Sequence, residues 1–220
     1  MSPLNVGAPV LLPRVMLEYE TGEFAQGEVY LERLLEAMRR RGQGAPARVS
    51  FAITAIARIT GVPDRLEIAE AAAEEVLSAQ SVTPRSAIDA KAGLAVLAVL
   101  KRDQSAAEEN YAYLQEQRGT MIETVSSVDR LLGLLSQTMD NLDQAAAHFE
   151  DALAFCRKAG YRPELAWTCC DYADLLRERD AEGDRAKAIS LLDESLAISS
   201  DLGMRPLMER VLSRREILRA

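Results

Sequence analysis

Residues 131–153, LLGLLSQTMDNLDQAAAHFEDAL, contain the pattern that decides the fold. A small residue, Gly133, is followed twelve positions later by Ala145, and a large apolar residue, Phe149, comes four positions after that. Between them, TMDNLD interrupts the apolar periodicity with Asp and Asn, which favour turns. Two helices joined by a short turn approach closely only where both backbones carry small side chains. The stretch therefore predicts a hairpin of two closely packed helices.

The same pattern recurs along the chain. The pairs Ala57–Ala69 and Ala95–Ala107 keep the spacing of twelve, and the starting positions 57, 95 and 133 are 38 residues apart. Two looser pairs, Val15–Gly27 and Ala173–Ala188, extend the series in both directions. The residues four positions after each pair are Leu31, Ala73, Tyr111, Phe149 and Leu192. A register kept over five units indicates a repeat architecture.

Composition agrees with a helical repeat. Ala, Leu, Glu and Arg are abundant and aromatic residues make up only 5% of the 220 residues, which favours an all-α fold. We expect five helical hairpins at about 8–45, 47–80, 85–119, 124–160 and 163–202, which form one solenoid over residues 1–203. Residues 204–220 are predicted to form a capping helix, because the last apolar face of a solenoid otherwise meets water.

The pattern resembles the tetratricopeptide repeat, and Leu132, Gly133, Ala145, Phe149 and Ala152 carry the best match. A spacing of 38 exceeds the usual repeat of about 34 residues. It is similar to the variant found in bacterial signalling ATPases and regulators of the maltose-activator type. The segment from His148 onward resembles the end of the repeat regions that follow ATPase or nucleotide-cyclase modules. The resemblance implies a right-handed superhelix of antiparallel helix pairs with a concave groove.

In this family the first helix of each hairpin lines the groove that binds partners. By this resemblance the groove-facing residues are Phe51, Arg58, Asp89, Val96, Arg130, Leu134, Trp167, Asp174 and Arg177. Trp167 is the strongest candidate for a partner anchor, because the core stripe of its helix is complete without it. The alternative is that Trp167 packs against a neighbouring repeat.

The sequence contains few motifs that are typical of catalytic, cofactor or metal sites. The sequence has no phosphate-binding glycine loop, no HExxH and no GxSxG, so we predict no enzyme, no cofactor and no metal. The single histidine, His148, lies about 100° from the stripe of Phe149 and has no ligand-spaced partner, which favours a partly exposed packing residue. Cys156, Cys169 and Cys170 form no CxxC pair and are interpreted as small apolar residues of a reducing compartment; a redox role for Cys169 and Cys170 is the alternative.

The net charge and the apolar runs of the chain limit the kinds of partner that it is expected to bind. The net charge of −8 argues against a generic nucleic-acid binder. The basic stretches at 38–48 and 212–220 suit helix C-termini. The longest apolar run, at 92–100, is too short to span a membrane, so we expect a cytoplasmic protein.

Three function classes follow from this interpretation. The leading one is a non-catalytic scaffold, the sensor or adaptor part of a bacterial signalling system, which binds a peptide or protein in the groove. The second is a homo-oligomerisation module. The third is a ligand-gated regulatory domain that binds a small molecule or a short peptide.

Overall fold

The computed structural model of the chain describes residues 8–40, 45–123 and 125–219. In these ranges it is built almost entirely from helices, so the all-α prediction is confirmed. The helices are α1 Ala8–Thr21, α2 Phe24–Arg39, α3 Ala45–Thr60, α4 Leu66–Leu77, α5 Pro84–Lys101, α6 Gln104–Leu114, α7 Val128–Thr138, α8 Leu142–Ala159, α9 Arg162–Arg179, α10 Asp184–Leu202 and α11 Arg205–Arg219.

The helices pack in a repeating order. Each odd-numbered helix from α1 to α9 packs against the even-numbered helix that follows it and against the next odd-numbered helix. The last helix, α11, packs against α10 and α9 and also contacts α1 and α3. The first and last parts of the chain therefore meet, and the odd-numbered helices surround a common interior.

The small residues that predicted the hairpins are all buried. Each of the five pairs places one residue on the first helix of a hairpin and one on the second, and all ten side chains or glycine positions are buried. At Gly133 an added Cβ would lie 3.0 Å from the ring of Phe149, the large residue of the same unit. The aromatic ring therefore fills the space that the glycine leaves, as the spacing predicts.

A second close approach joins successive hairpins. Gly93 of α5 lies against α3, where an added Cβ would be 2.2 Å from Ser50 Oγ and 3.0 Å from the backbone nitrogen of Phe51. Backbone cannot move aside as a flexible side chain does, and the interior is packed to nearly crystalline density. Only glycine fits at this position without a shift of α3 relative to α5.

Gly93→Ala is expected to destabilise the chain by about 1 to 3 kcal/mol, which is the usual cost of overpacking. Without the clash the substitution would instead stabilise the helix by up to about 1 kcal/mol, because alanine is the better helix former. The urea midpoint of Gly93→Ala against wild type measures the sign. Gly133→Ala, whose Cβ would meet only a side chain, is expected to cost less. A midpoint for Gly93→Ala that is equal to or above wild type would contradict the close approach.

One segment departs from pure helix. Two short strands, β1 Met121–Ile122 and β2 Ser126–Ser127, pair in antiparallel orientation as a small β-hairpin. The fourth helical hairpin was predicted to begin near 124, whereas α7 begins at Val128. Ser127 accepts a hydrogen bond from the backbone N–H of Arg130 and so caps α7. The β1–β2 pair before α7 is consistent with the β-branched residues of TMIETV and was not predicted from the helical periodicity.

No helix in the described ranges combines the length and the apolar character that crossing a bilayer requires.

Candidate functional site

Eight of the nine residues predicted to face a groove line two neighbouring cavities. A central pocket is bordered by Phe51, Arg58, Val96, Arg130 and Trp167. An open groove of about 730 Å³ is bordered by Arg58, Leu134, Asp174 and Arg177. Arg58 belongs to both, so the pocket and the groove adjoin. The structure thus brings most of these residues together, although it buries many of them.

The central pocket is small. It offers about 20 Å³ to water-sized spheres, which is room for about one water molecule. Its walls are largely apolar and come from α1, α3, α5, α7, the 121–127 hairpin and α9. Phe51, Val96 and Trp167 are buried there by other parts of the same chain. These three side chains are core residues of the closed structure, and their role in partner binding stays a prediction.

An ion cluster occupies the interior beside this pocket. Arg130, which is only 9% exposed, lies with its Nη1 3.1 Å from Glu164 Oε2 and its Nε 3.7 Å from Asp171 Oδ2. Arg58 donates to Asp171 Oδ1 over 2.6 Å. Glu164 also accepts hydrogen bonds from the backbone N–H of Ser127 and the hydroxyl of Ser126. Two cations and two anions from three helices therefore compensate one another out of water.

Burial shapes the acid chemistry of this cluster. Desolvation raises the pKa of Glu164 above its usual range, and the opposing charge of Arg130 lowers it. Desolvation also raises the pKa of Glu20 on α1 to about 7, with the negative charge of Glu164 adding to the effect. The charge of Arg130 and a hydrogen bond from Trp167 oppose that rise at Glu20. The Glu20 carboxyl is thus far closer to neutral at pH 7 than an exposed glutamate.

Trp167 is not the exposed anchor that the sequence favoured. It is 4% exposed, and its ring lies under two guanidinium groups, Arg210 at 5.1 Å and Arg130 at 5.9 Å from the ring centroid. Arg210 belongs to α11, so the C-terminal helix covers the indole. The alternative interpretation, packing against neighbouring repeats, is the one that the structure supports, because α11 folds back over this face.

Arginine side chains of α11 attach this helix to the rest of the chain. Arg205 donates to the backbone oxygen of Thr21 over 2.7 Å and pairs with Glu23 at 2.5 Å. Arg210 donates to the backbone oxygen of Arg58, and Arg214 Nε lies 3.0 Å from Asp174. Helix α11 therefore closes one side of the interior as well as covering the last hairpin.

The open groove retains accessible polar groups. Its walls are the first helices of four successive hairpins, α3, α5, α7 and α9, together with the turn after α5 and the turn after α7. Arg102, Gln104, Asp140, Arg177 and Glu178 are exposed at its rim. Leu134 and Asp171 are buried at its base. The groove offers charges of both signs and amide groups to a ligand.

Asp89 lies away from both cavities. It is buried near the start of α5, with Arg85 Nε 3.1 Å from its Oδ1. Desolvation raises its pKa to about 7, and Arg85 opposes the rise. Asp89 therefore lines neither the central pocket nor the open groove, and its role in partner binding stays a prediction.

His148 and the cysteines are more buried than exposed. His148, predicted to be partly exposed, is 5% exposed, because Tyr111 packs edge-on against its ring at 5.6 Å. Burial lowers the pKa of His148, and Arg118 adds to the effect, so the imidazole is neutral at pH 7. Burial raises the thiol pKa values of Cys156 and Cys170 to about 12, which favours the packing role.

In the described residues, one set of side chains has metal-ligand spacing, namely Asp129, His148 and Asp151.

The basic stretches carry acidic partners. Arg48 lies 3.2 Å from Glu123, Arg214 pairs with Asp174, and Arg215 lies 2.8 Å from Asp193. These arginines are used within the fold and do not form a basic face for phosphate binding.

Sequence reasoning missed the acidic half of the ion cluster. Glu164 and Asp171 lie seven residues apart on α9, with Trp167 between them, so one helical face carries all three. The spacing was visible, but a charged face is usually solvated, and nothing local indicates that α1, α3, α7 and α11 enclose it.

No protein-family model, curated protein or solved structure matches the chain.

Proposed function

We propose that the chain is a tetratricopeptide-type right-handed superhelix that acts as a non-catalytic scaffold and binds a segment of another protein in the open groove. One observation carries the proposal. The first helices of four successive hairpins together line a groove of about 730 Å³. Such a surface is the by-product of stacking hairpins, and it is the surface that repeat proteins use for binding. The resemblance to bacterial signalling regulators extends the proposal to a cytoplasmic sensor or adaptor.

The lining favours an extended polar segment. The lining combines the cations Arg58, Arg102 and Arg177 with the anions Asp140, Asp174 and Glu178, and Gln104 and Gln137 offer amide groups. An extended peptide presents backbone N–H and C=O groups that such side chains satisfy. The central pocket, which holds about one water, gives less support to a small-molecule ligand.

The test uses residues that the fold does not need. Arg130 and Trp167 are unsuitable because their replacement disturbs the core, whereas Arg102 and Arg177 are exposed. A photo-crosslinking residue at Gln104 in the groove is compared with one at Lys158, which is exposed on α8. We expect a specific crosslinked protein from position 104 and none from position 158, identified by mass spectrometry after capture from a native lysate.

A charge-reversal pair supplies the affinity control. Arg102→Glu with Arg177→Glu changes the groove, and Arg157→Glu with Lys158→Glu makes the same change of net charge on α8. We expect the groove pair to weaken binding of the captured partner at least about tenfold and the α8 pair to leave it unchanged, because electrostatic contacts act locally at physiological salt. Equal effects of the two pairs would refute groove binding. A crosslink to a second copy of the chain would instead favour self-assembly.

A further inference from the structure

Three side chains with metal-ligand chemistry converge between α7, α8 and the segment that precedes the β-hairpin. One ring nitrogen of His148, one oxygen of Asp129 and one oxygen of Asp151 all lie within 4.8 Å of one another. Asp129 is in the first turn of α7, whereas His148 and Asp151 are three residues apart on α8 and so share a face. Spatial convergence of an imidazole with two carboxylates from two helices is the minimum for a metal site.

The buried polar atoms of this cluster point to a ligand. His148 Nδ1 and Asp129 Oδ1 are buried and make no hydrogen bond with the described residues. Asp129 is 2% exposed, so its Oδ1 is separated from bulk water. Buried polar atoms in folded proteins almost always have a partner, whereas His148 Nδ1 has none within the described residues and Asp129 Oδ1 has only the contact of 3.5 Å with Arg118 Nε. A bound cation would satisfy both atoms at once.

The other ring nitrogen of His148 is held in place. His148 Nε2 lies 2.9 Å from the hydroxyl oxygen of Tyr111, and Gln144 Nε2 donates to the same oxygen over 2.8 Å. A hydroxyl oxygen has two lone pairs and can accept from both groups. Donation by Nε2–H to Tyr111 leaves the lone pair of Nδ1 free. An outer hydrogen bond of this kind fixes the tautomer and the ring orientation of histidines that bind metals.

Arg118 now compensates the carboxylates. Its Nε lies 3.5 Å from Asp129 Oδ1, and its guanidinium also pairs with Asp151. Arg118 is about half exposed, so its side chain can turn to solvent without a change in the fold. Two carboxylates carry two negative charges, of which one guanidinium cancels one. A divalent cation would cancel both.

We propose that Asp129, His148 and Asp151 bind a divalent transition-metal ion, with Arg118 as its competitor. One imidazole nitrogen with two carboxylate oxygens suits Zn²⁺, Co²⁺ or Mn²⁺ and departs from the all-oxygen sets that hold Ca²⁺ and Mg²⁺. Asp151 is half exposed, so water can complete the coordination. Asp129 also accepts a hydrogen bond from the backbone N–H of Gly119 over 2.8 Å. The bound ion therefore ties α7 and α8 to the start of the 118–127 segment.

The test is a titration of the full chain with Co²⁺, followed by visible absorption, with Zn²⁺ added as a competitor. We expect one saturable site per chain whose absorption Zn²⁺ abolishes. Asp151→Asn should weaken Co²⁺ binding at least about tenfold, because it removes a ligand at an exposed position where the fold is unaffected. Arg118→Gln should tighten binding several-fold, because it removes the competing cation. Asp143→Asn, the same substitution at an exposed position of α8, serves as the control and should match wild type.

Opposite shifts for two exposed residues are not expected from loss of folding. Binding that Asp151→Asn leaves equal to the Asp143→Asn control would overturn the proposal, as would a titration without saturation. Intense near-ultraviolet bands from Co²⁺–thiolate bonding would assign the ion to a cysteine and also overturn it. An unchanged affinity in Arg118→Gln would refute the competition between Arg118 and the metal.

Discussion

Deletion of residues 204–220 is expected to destabilise the remaining chain by more than about 5 kcal/mol and to lower its solubility. This segment contributes four buried side chains to the core, Met204 just before α11 and Leu207, Val211 and Leu218 within it. Burying one such side chain contributes about 1.5 to 3 kcal/mol, so four together exceed any single core substitution. The deletion also uncovers Trp167, which α11 shields through Arg210.

Thermal unfolding and size-exclusion chromatography of the truncated chain measure this effect. We expect a lower melting temperature and association of the exposed apolar faces, since the ends of a stack of hairpins need a polar cover. Glu216→Ala, at an exposed position of α11, is the control and should change the melting temperature by little. A truncated chain that melts like wild type would show that α11 is dispensable for the fold.

The second large effect is expected at Arg130. Arg130→Ala removes the cation shared by Glu164 and Asp171 and should cost about 3 to 5 kcal/mol, because an uncompensated charge then stays buried. Arg130→Lys keeps the charge but loses the fork geometry that reaches two carboxylates, so its cost should be intermediate. Arg177→Ala, an exposed arginine whose only ion pair is 3.9 Å long within the described residues, should cost less than about 0.5 kcal/mol.

The pH dependence of Arg130→Ala distinguishes a charge effect from a packing effect. Loss of Arg130 removes an interaction that lowers the pKa of Glu164, so the raised pKa of this group rises further. A carboxyl whose pKa is raised in the folded state costs no stability at low pH, where it is protonated in both the folded and the unfolded state. As the pH rises through its folded pKa, ionisation of the buried group lowers the free energy of unfolding. The urea midpoint of Arg130→Ala should therefore lie closer to that of wild type at acidic pH than at neutral pH. A difference that does not change with pH would indicate lost packing alone.

The spacing of small residues along the chain predicts the contacts within each helical hairpin. The ten small residues that fixed the hairpins are all buried, one on each helix of five pairs. Their spacing reports contacts between helices joined by a short turn, and such contacts depend on residues within one unit of the chain. The pairing of β1 with β2 was not predicted, because strands of two residues are too short to show a periodicity.

The candidate site was only partly predictable for a related reason. The repeat register placed Arg58, Leu134, Asp174 and Arg177 on one groove, as the structure has them. It did not indicate that Phe51, Val96, Arg130 and Trp167 are enclosed. Nor did it bring Asp129 near His148 and Asp151, because ligand spacing along one helix gives no information about the neighbouring helix.

By itself, the sequence determined that this protein is helical and which small residues its helices bury against one another, since these features follow from contacts a few turns apart. Only the tertiary structure decided which charges meet. The ion pair between Arg58 and Asp171 joins residues 113 apart, and the hydrogen bond from the Arg210 guanidinium to the backbone oxygen of Arg58 joins residues 152 apart. Such contacts join residues that are far apart in the sequence, so no single hairpin specifies them. The packing of the whole chain brings α11 onto α1 and α3, closes the interior around Arg130 and Trp167, and leaves the groove of α3, α5, α7 and α9 open.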